Sequence, residues 1–303
     1  MNFPDPVRAS RHPHGVRVDG HGYPDFSPYA RAAAEIAEPP EGFGVDELRL
    51  TDFVSANAAL HADGHELWTG LPAVATPHGW TWHHVAHSRR MELVPVEVKA
   101  LLRHHGGLAT AAVDHAKRGT RPLQETRPAH FAVPHDVAVR EDQVVDAEEK
   151  LGYRLPGAYR AFLKAAGGSA PRGVALDAEL GLLVDQPFFT VRDEAAVNDL
   201  VYVNKCLRDH LTKDYLSVGF VQGGIIAVKV KGDQIGSVWF CAYDDARDHE
   251  GLTVHERMAS LLLPCGADFD DFLLRLAGSP PELETVANLM VDGGFARAVP
   301  VKG

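Results

Sequence analysis

GWTWHHVAHSRRMELVPVEVKALLRHHGG, residues 79–107, is the stretch whose reading decides the fold of the first half of the chain. A short aromatic run ends in the pair His83 and His84, a link containing Arg89 and Arg90 follows, and MELVP reads as a second strand. Pro95 opens, and Gly106 with Gly107 closes, a helix predicted over Val96 to His105, because proline suits a first helical turn and glycine suits the residue past its end. The order strand, link, strand, helix is a ββα unit. It carries one imidazole pair at the end of its first strand and a second pair, His104 and His105, at the end of its helix. Imidazoles converging from different elements suit zinc and neighbouring transition metals. Adjacent residues on a strand point to opposite faces, so His83 and His84 would not both bind one ion. One can hold a metal while the other faces the substrate as a base. Trp80 and Trp82, two apart, share a strand face and are expected to pack in the core.

Upstream, GYPDFSPYARAAAEIAEPP predicts a turn and then an alanine-rich helix over roughly Pro28 to Ala37, closed by Pro39 and Pro40. LRLTDFVSANAALHADG predicts a further helix, capped by Thr51 or Asp52 and ended at Gly64. Asp25 and Asn57 read as turn or cap residues, and His12, His14, His61 and His65 as solvated. Downstream, KRGTRPLQETRPAHFAVPHDVAV has neither helical nor strand period, so it reads as a linker, or as a strap held by Phe131 and Val133. These readings divide the chain into a first domain over residues 1–110 and a join over residues 111–140.

Composition frames both halves. The 303 residues allow two domains, and 45% apolar with 23% charged residues is ordinary for a globular protein. No apolar run approaches the roughly 18 residues that span a bilayer, and MNFPDPVRASRHPHG has no apolar signal core, which predicts a protein that is cytoplasmic or is exported by a route that leaves no N-terminal signal. Cys206, Cys241 and Cys265 are far apart and odd in number, so they read as reduced core thiols. Of the 17 histidines, 14 precede residue 140. Residues 1–140 hold 14 Lys+Arg against 16 Asp+Glu, net −2, while residues 141–303 hold 16 against 25, net −9. Two unlike halves are joined.

GYPDFSPYA, TDFVSANAA, TWHH, MELVP and HHGG, in this order from about residue 15 to 110, resemble the WHH family of HNH and endonuclease VII nucleases, found in bacterial polymorphic toxins. The resemblance implies a ββα finger holding one divalent metal ion, zinc, magnesium or manganese. It makes His83 and the helix residue His104 metal ligands and His84 the general base that activates water. A metal of this kind neutralises charge on the scissile phosphate while a neutral imidazole takes a proton from water. Arg89, Arg90 and Arg103 would then contact a nucleic-acid backbone without reading sequence. One position departs from the family: Lys99 stands where a helix histidine is usual, and an ammonium must lose a proton before it can ligate. Such a site is crippled, or uses His87 or His105 instead, or uses Lys99 as a phosphate clamp.

The second half opens with EDQVVDAEEKLGYRLPGAYRAFLKAAGG. Val144, Val145, Glu148 and Leu151 fit one helix face. Pro156 starts a second helix with Tyr159, Phe162 and Leu163 on its buried stripe, ended by Gly167 and Gly168. LGLLV and FFTV read as strands and AAVNDLVYVNKCLRDHL as a helix. YLSVGFVQGGIIAVKVKGDQIGSVWFCAY reads as a three-stranded antiparallel meander with the glycines near Gly219 to Gly224 in a turn, and ADFDDFLLRLAG as a closing helix. A tail, residues 279–303, predicts a helix over Glu282 to Met290 and a strand-like end that docks on either domain. LPGAYRAFLKAAGG, the meander and DFDDFLLRL together resemble the SUKH superfamily of Smi/Knr-type regulators and bacterial immunity proteins over about residues 141–278. That resemblance implies binding of a cognate toxin, and an acidic surplus suits a partner with a basic groove.

The expected fold class is therefore α+β, an HNH-like ββα domain followed by a SUKH domain whose meander is flanked by helices. Two functions follow. In the first, a metal-dependent endonuclease is inhibited or regulated by its own SUKH domain in cis. In the second, an immunity or antitoxin-type protein binds a toxin in trans and keeps a degenerate nuclease domain, with Lys99 in place of a histidine.

Overall fold

The computed structural model describes residues 6–100, 102–117, 127–129, 139–172, 174–177, 180–191, 196–243, 245, 247–248, 251–278 and 281–301. Among them no helix is long and apolar enough to cross a membrane. The fold is α+β, and the described residues form three four-stranded sheets and one two-stranded ribbon whose strands pair antiparallel.

After helix α1 (Pro6–Arg11) and a ribbon of β1 (Arg17–Val18) with β2 (Pro24–Asp25), the chain enters strand β3 (Ala32–Ile36). Here the expected helix over Pro28 to Ala37 is corrected: only one 3-10 turn, Ser27–Tyr29, precedes an extended segment. Alanine favours helix by a fraction of a kcal/mol, and that preference yields to burial between two strands. Ala32, Ala33 and Ala34 are all buried, and the small side chains of Ala32 and Ala34 share a core cluster with α2 (Val45–Ala62). That helix starts earlier than expected. Gly44 is its N-cap, with Glu47 reaching back to the Gly44 amide, so Asp52 lies mid-helix instead of at the cap.

β4 (Trp80–His84) and β5 (Arg90–Pro95) form the predicted hairpin, pairing Trp82 with Leu93 and His83 with Glu92. The helix that follows is a single turn, α3 (Val96–Lys99), not the ten residues expected. The Tyr243 hydroxyl donates to Ala100 O at 2.7 Å, and the His105 amide donates to Gly22 O, so tertiary partners take the groups that a longer helix would pair internally. His104 and His105 therefore sit on a loop.

The join contributes β6 (Arg127–Pro128); the strap expected at Phe131 and Val133 lies outside the described residues. In the second half α4 (Glu141–Leu151) and α5 (Gly157–Ala166) form as predicted, each ended by a glycine with left-handed backbone, Gly152 and Gly167. Val145, expected on the buried face, is exposed. β7 (Ala175–Asp177) and β8 (Leu182–Val184) follow, but FFTV makes only isolated bridges, Phe188 to Gly219 and Thr190 to Asp199. The long helix expected next shrinks to α6 (Leu200–Cys206), because Asp199 caps it by accepting from the Tyr202 amide. The meander is β9 (Tyr215–Val221), β10 (Gly224–Lys229) and β11 (Val238–Ala242). After α7 (Val254–Leu261) a fourth strand, β12 (Leu262–Gly266), adds to it. α8 (Phe269–Arg275) and β13 (Ala277–Gly278) close this half, and β13 pairs with both β6 and β7. Cys241 and Cys265 are buried, and Cys206 is partly so.

The tail docks on the first half. α9 (Pro281–Asp292) packs on α2, and β14 (Ala296–Val299) pairs with β3, giving the sheet order β14-β3-β5-β4. Leu283, Ala287 and Ala296 share one buried cluster with Phe53, Trp82 and Leu93. Val174, Leu176 and Leu183 from the second half enter the same cluster. The two halves thus share a core, and the second half is inserted between strands of the first half's sheet.

Candidate functional site

The alternation of β4 sorts its side chains between two environments. Trp82 and His84 face α2: the Trp82 indole donates to Asn57 Oδ1 at 2.7 Å, and the His84 ring lies 5.3 Å from that of Phe53. Thr81 and His83 face the other way. The ring of His83 meets Phe26 at 4.8 Å and His104 at 6.1 Å, and Phe26 also meets His104 at 5.2 Å, a triangle of buried rings. Lys99, 1% exposed, turns back from α3 so that Nζ donates to Trp82 O at 2.7 Å, the carbonyl next to His83. Burial, followed by the positive charge of Lys99 and the neighbouring His104 and His84, holds the His83 imidazole well below its ordinary pKa. It is neutral at pH 7.

The other anticipated residues are placed as follows. His84 is 4% exposed, and its Nε2 lies 3.2 Å from Asp52 Oδ2, while Arg89 Nη2 donates to Asp52 Oδ1 at 2.6 Å. Arg90 donates to Glu92 Oε1 and to Pro300 O. Arg103 reaches across to Asp248 at 3.4 Å and to Leu252 O at 3.2 Å. All three arginines are thus engaged by acceptors of this chain. His87, exposed at the β4–β5 turn with φ 56°, and His105 flank Tyr23 at 5.4 and 5.9 Å. His105 Nδ1 also bonds His21 O. They form a separate surface group, apart from the His83 ring triangle.

The second half covers the His83 face. Gln222, in the β9–β10 turn, places Oε1 3.2 Å from Thr81 Oγ1 and 3.4 Å from the Trp82 amide. Its Nε2 donates to Asp185, which also accepts from the Thr76 amide. Gln186 Oε1 accepts from the Gly79 amide at 2.9 Å. Tyr243 stacks at 6.3 Å from His104, and a cavity of about 10 Å³, room for one water, lies among Thr81, Lys99, Gln186 and Tyr243.

A family model described as a nuclease of the HNH/ENDO VII superfamily with conserved WHH matches residues 72–114. The model of the SMI1/KNR4 family (SUKH-1) matches residues 138–275. The chain joins a WHH nuclease domain to a SUKH domain. No curated protein matches it. The tryptophan and histidines of the WHH run are Trp82, His83 and His84.

HNH-superfamily nucleases typically use a divalent metal, so the donor set of the WHH domain can be tested against one. Structural and catalytic zinc take three or four N, S or O ligands, and magnesium takes mainly oxygens. Here two imidazoles face each other beside a cationic amine, with no carboxylate in the triangle. No group of three or more His, Cys, Asp or Glu among the described residues could hold a metal ion. The residues present do not fit the ion. The sequence alone does not point to Phe26, Gln222 or Tyr243 as site residues, and it gives Asp52 another role. Asp52 looked like a helix cap, and nothing local to Gln222 or Tyr243 signals that they meet residues some 140 positions away.

Proposed function

We propose that this chain is a binding protein of the bacterial toxin–immunity class, in which the WHH domain is a non-catalytic scaffold and the SUKH domain carries the interaction. The observation that carries the reading is the buried Lys99 amine, held on Trp82 O beside His83, where a metal-dependent nuclease needs another ligand. The cover laid over Thr81 and Trp82 by Gln222 supports it, since a phosphodiester would have to displace that side chain. So does the use of Arg89, Arg90 and Arg103 by internal acceptors. The net charge of −9 on residues 141–303 suits a toxin with a basic nucleic-acid groove, because opposite fields speed encounter.

The second reading, a nuclease restrained by its own SUKH domain, draws on the 3.2 Å contact of His84 with Asp52, an arrangement that can orient a general base. One assay separates the two. The full chain and its Gln222→Ala variant, which loosens the cover, are incubated with plasmid DNA and with total RNA in magnesium, manganese or zinc. The scaffold reading expects both to be inert. Cleavage that is lost on His84→Ala would overturn it.

A further inference from the structure

The mismatch between the WHH pocket and a metal ion has a consequence for how that pocket is built. A buried pair of imidazoles from a strand and a loop needs something to hold its elements together, and in small metal-dependent modules the ion does so. In this chain Lys99 rises from α3 and ties that helix to Trp82 O on β4, the strand that carries His83. His104 is in ring contact with the His83 imidazole at 6.1 Å. Two imidazoles on one tetrahedral zinc, each at about 2.0–2.1 Å from the metal, hold their nitrogens about 3.4 Å apart.

We infer that Lys99 is the resident cation of the WHH pocket: it links α3 to β4 in place of an ion, so the domain folds without metal. Residue 99 is then a position at which a histidine would join His83 and His104 into a three-imidazole site for zinc or cobalt. This inference rests on the scaffold reading in one respect only, that the native pocket binds no ion. It makes no use of whether the chain cleaves nucleic acid.

The test uses the full chain, following thermal unfolding by tryptophan fluorescence in zinc or in a chelator, and cobalt uptake by visible absorption. The wild type is expected to unfold at the same temperature in both conditions and to give no tetrahedral cobalt band. Lys99→Met, which keeps the stem and removes the amine, unfolds several degrees earlier in both. Lys99→His unfolds early in chelator, recovers in zinc and takes up one cobalt with a visible band. His83→Ala in that background loses the recovery and the band. Should Lys99→His fail to fold, Lys99→Met and the wild-type comparison still decide. The inference is overturned if the wild type binds cobalt in a manner abolished by His83→Ala, if folded Lys99→His takes up none, or if Lys99→Met unfolds no earlier than wild type. Cleavage by a wild-type chain that binds no cobalt through His83 would refute the scaffold reading and leave this inference standing.

Discussion

Ending the chain after Gly278 removes α9 and β14, and with them one edge of the sheet that presents the WHH residues. The lost burial can be counted from the side chains that go. Leu283 is 6% exposed, and full burial of a leucine contributes about 2 kcal/mol. Ala287 and Ala296, at 0% and 2%, contribute about 0.8 kcal/mol each. The sum is about 4 kcal/mol, before the newly wetted faces of α2 and β3 are counted, against a total stability on the order of 5–15 kcal/mol. With a urea slope of about 3 kcal/mol per molar, the midpoint should fall by at least about 1.3 M. Tryptophan fluorescence reads this by module, because Trp68, Trp80 and Trp82 lie in the first half and Trp239 alone in the second. The truncated chain is expected to lose the emission of the buried Trp82 first, with the meander unfolding later. A fragment of residues 1–140 lacks the same strand and is expected not to fold. A truncated chain whose midpoint matches the full protein would refute the view that the tail completes the first sheet.

Three further perturbations test individual contacts. Asn57 joins Trp82, Val74 and Thr76 by buried hydrogen bonds, so Asn57→Ala should cost about 3 kcal/mol by urea unfolding. A Cβ on Gly107 would stand 1.9 Å from His84 O, so Gly107→Ala must shift that loop and should lower stability by at least about 2 kcal/mol in the same assay. Burial at the interface of the two halves raises the Asp185 carboxyl above its ordinary 3.8, against hydrogen bonds from Gln222, Thr76 and Gln186 that lower it. A raised carboxyl contributes stability that is complete below pH 3.8 and is lost as the pH rises through the folded value. The urea midpoint of wild type relative to Asp185→Asn should therefore decline with rising pH across that window. A constant difference would show Asp185 equally ionised in both states.

The ββ hairpin over residues 80–95 was legible because its signals are local: an aromatic alternation, a basic link and a proline stop. Both family resemblances likewise rest on short strings. What escaped the reading was set by partners far along the chain. Ala32–Ile36 has the composition of a helix and becomes a strand because β5 and β14 lie on either side of it. Val96 to His105 has the punctuation of a ten-residue helix and stops after one turn because Gly22 and Tyr243 claim its backbone. At the site, the opposite facing of His83 and His84 follows from strand geometry alone. The ring of Phe26 against His83 and the cover of Gln222 do not, since no period or spacing connects these residues.

The order of synthesis gives the tail a further meaning. β5 is complete at residue 95, and β14 only at residue 299. At the ribosome's rate of about 5–20 residues per second, roughly 10–40 s separate the two. Throughout that interval the WHH hairpin is present while one edge of its sheet is open, and by the time the edge strand arrives the SUKH strands have already been made. A ribosome that stalls after β12 and before β14 releases SUKH strands without a finished sheet in the WHH domain. In this layout the nuclease-like part can be completed only in the presence of its cover.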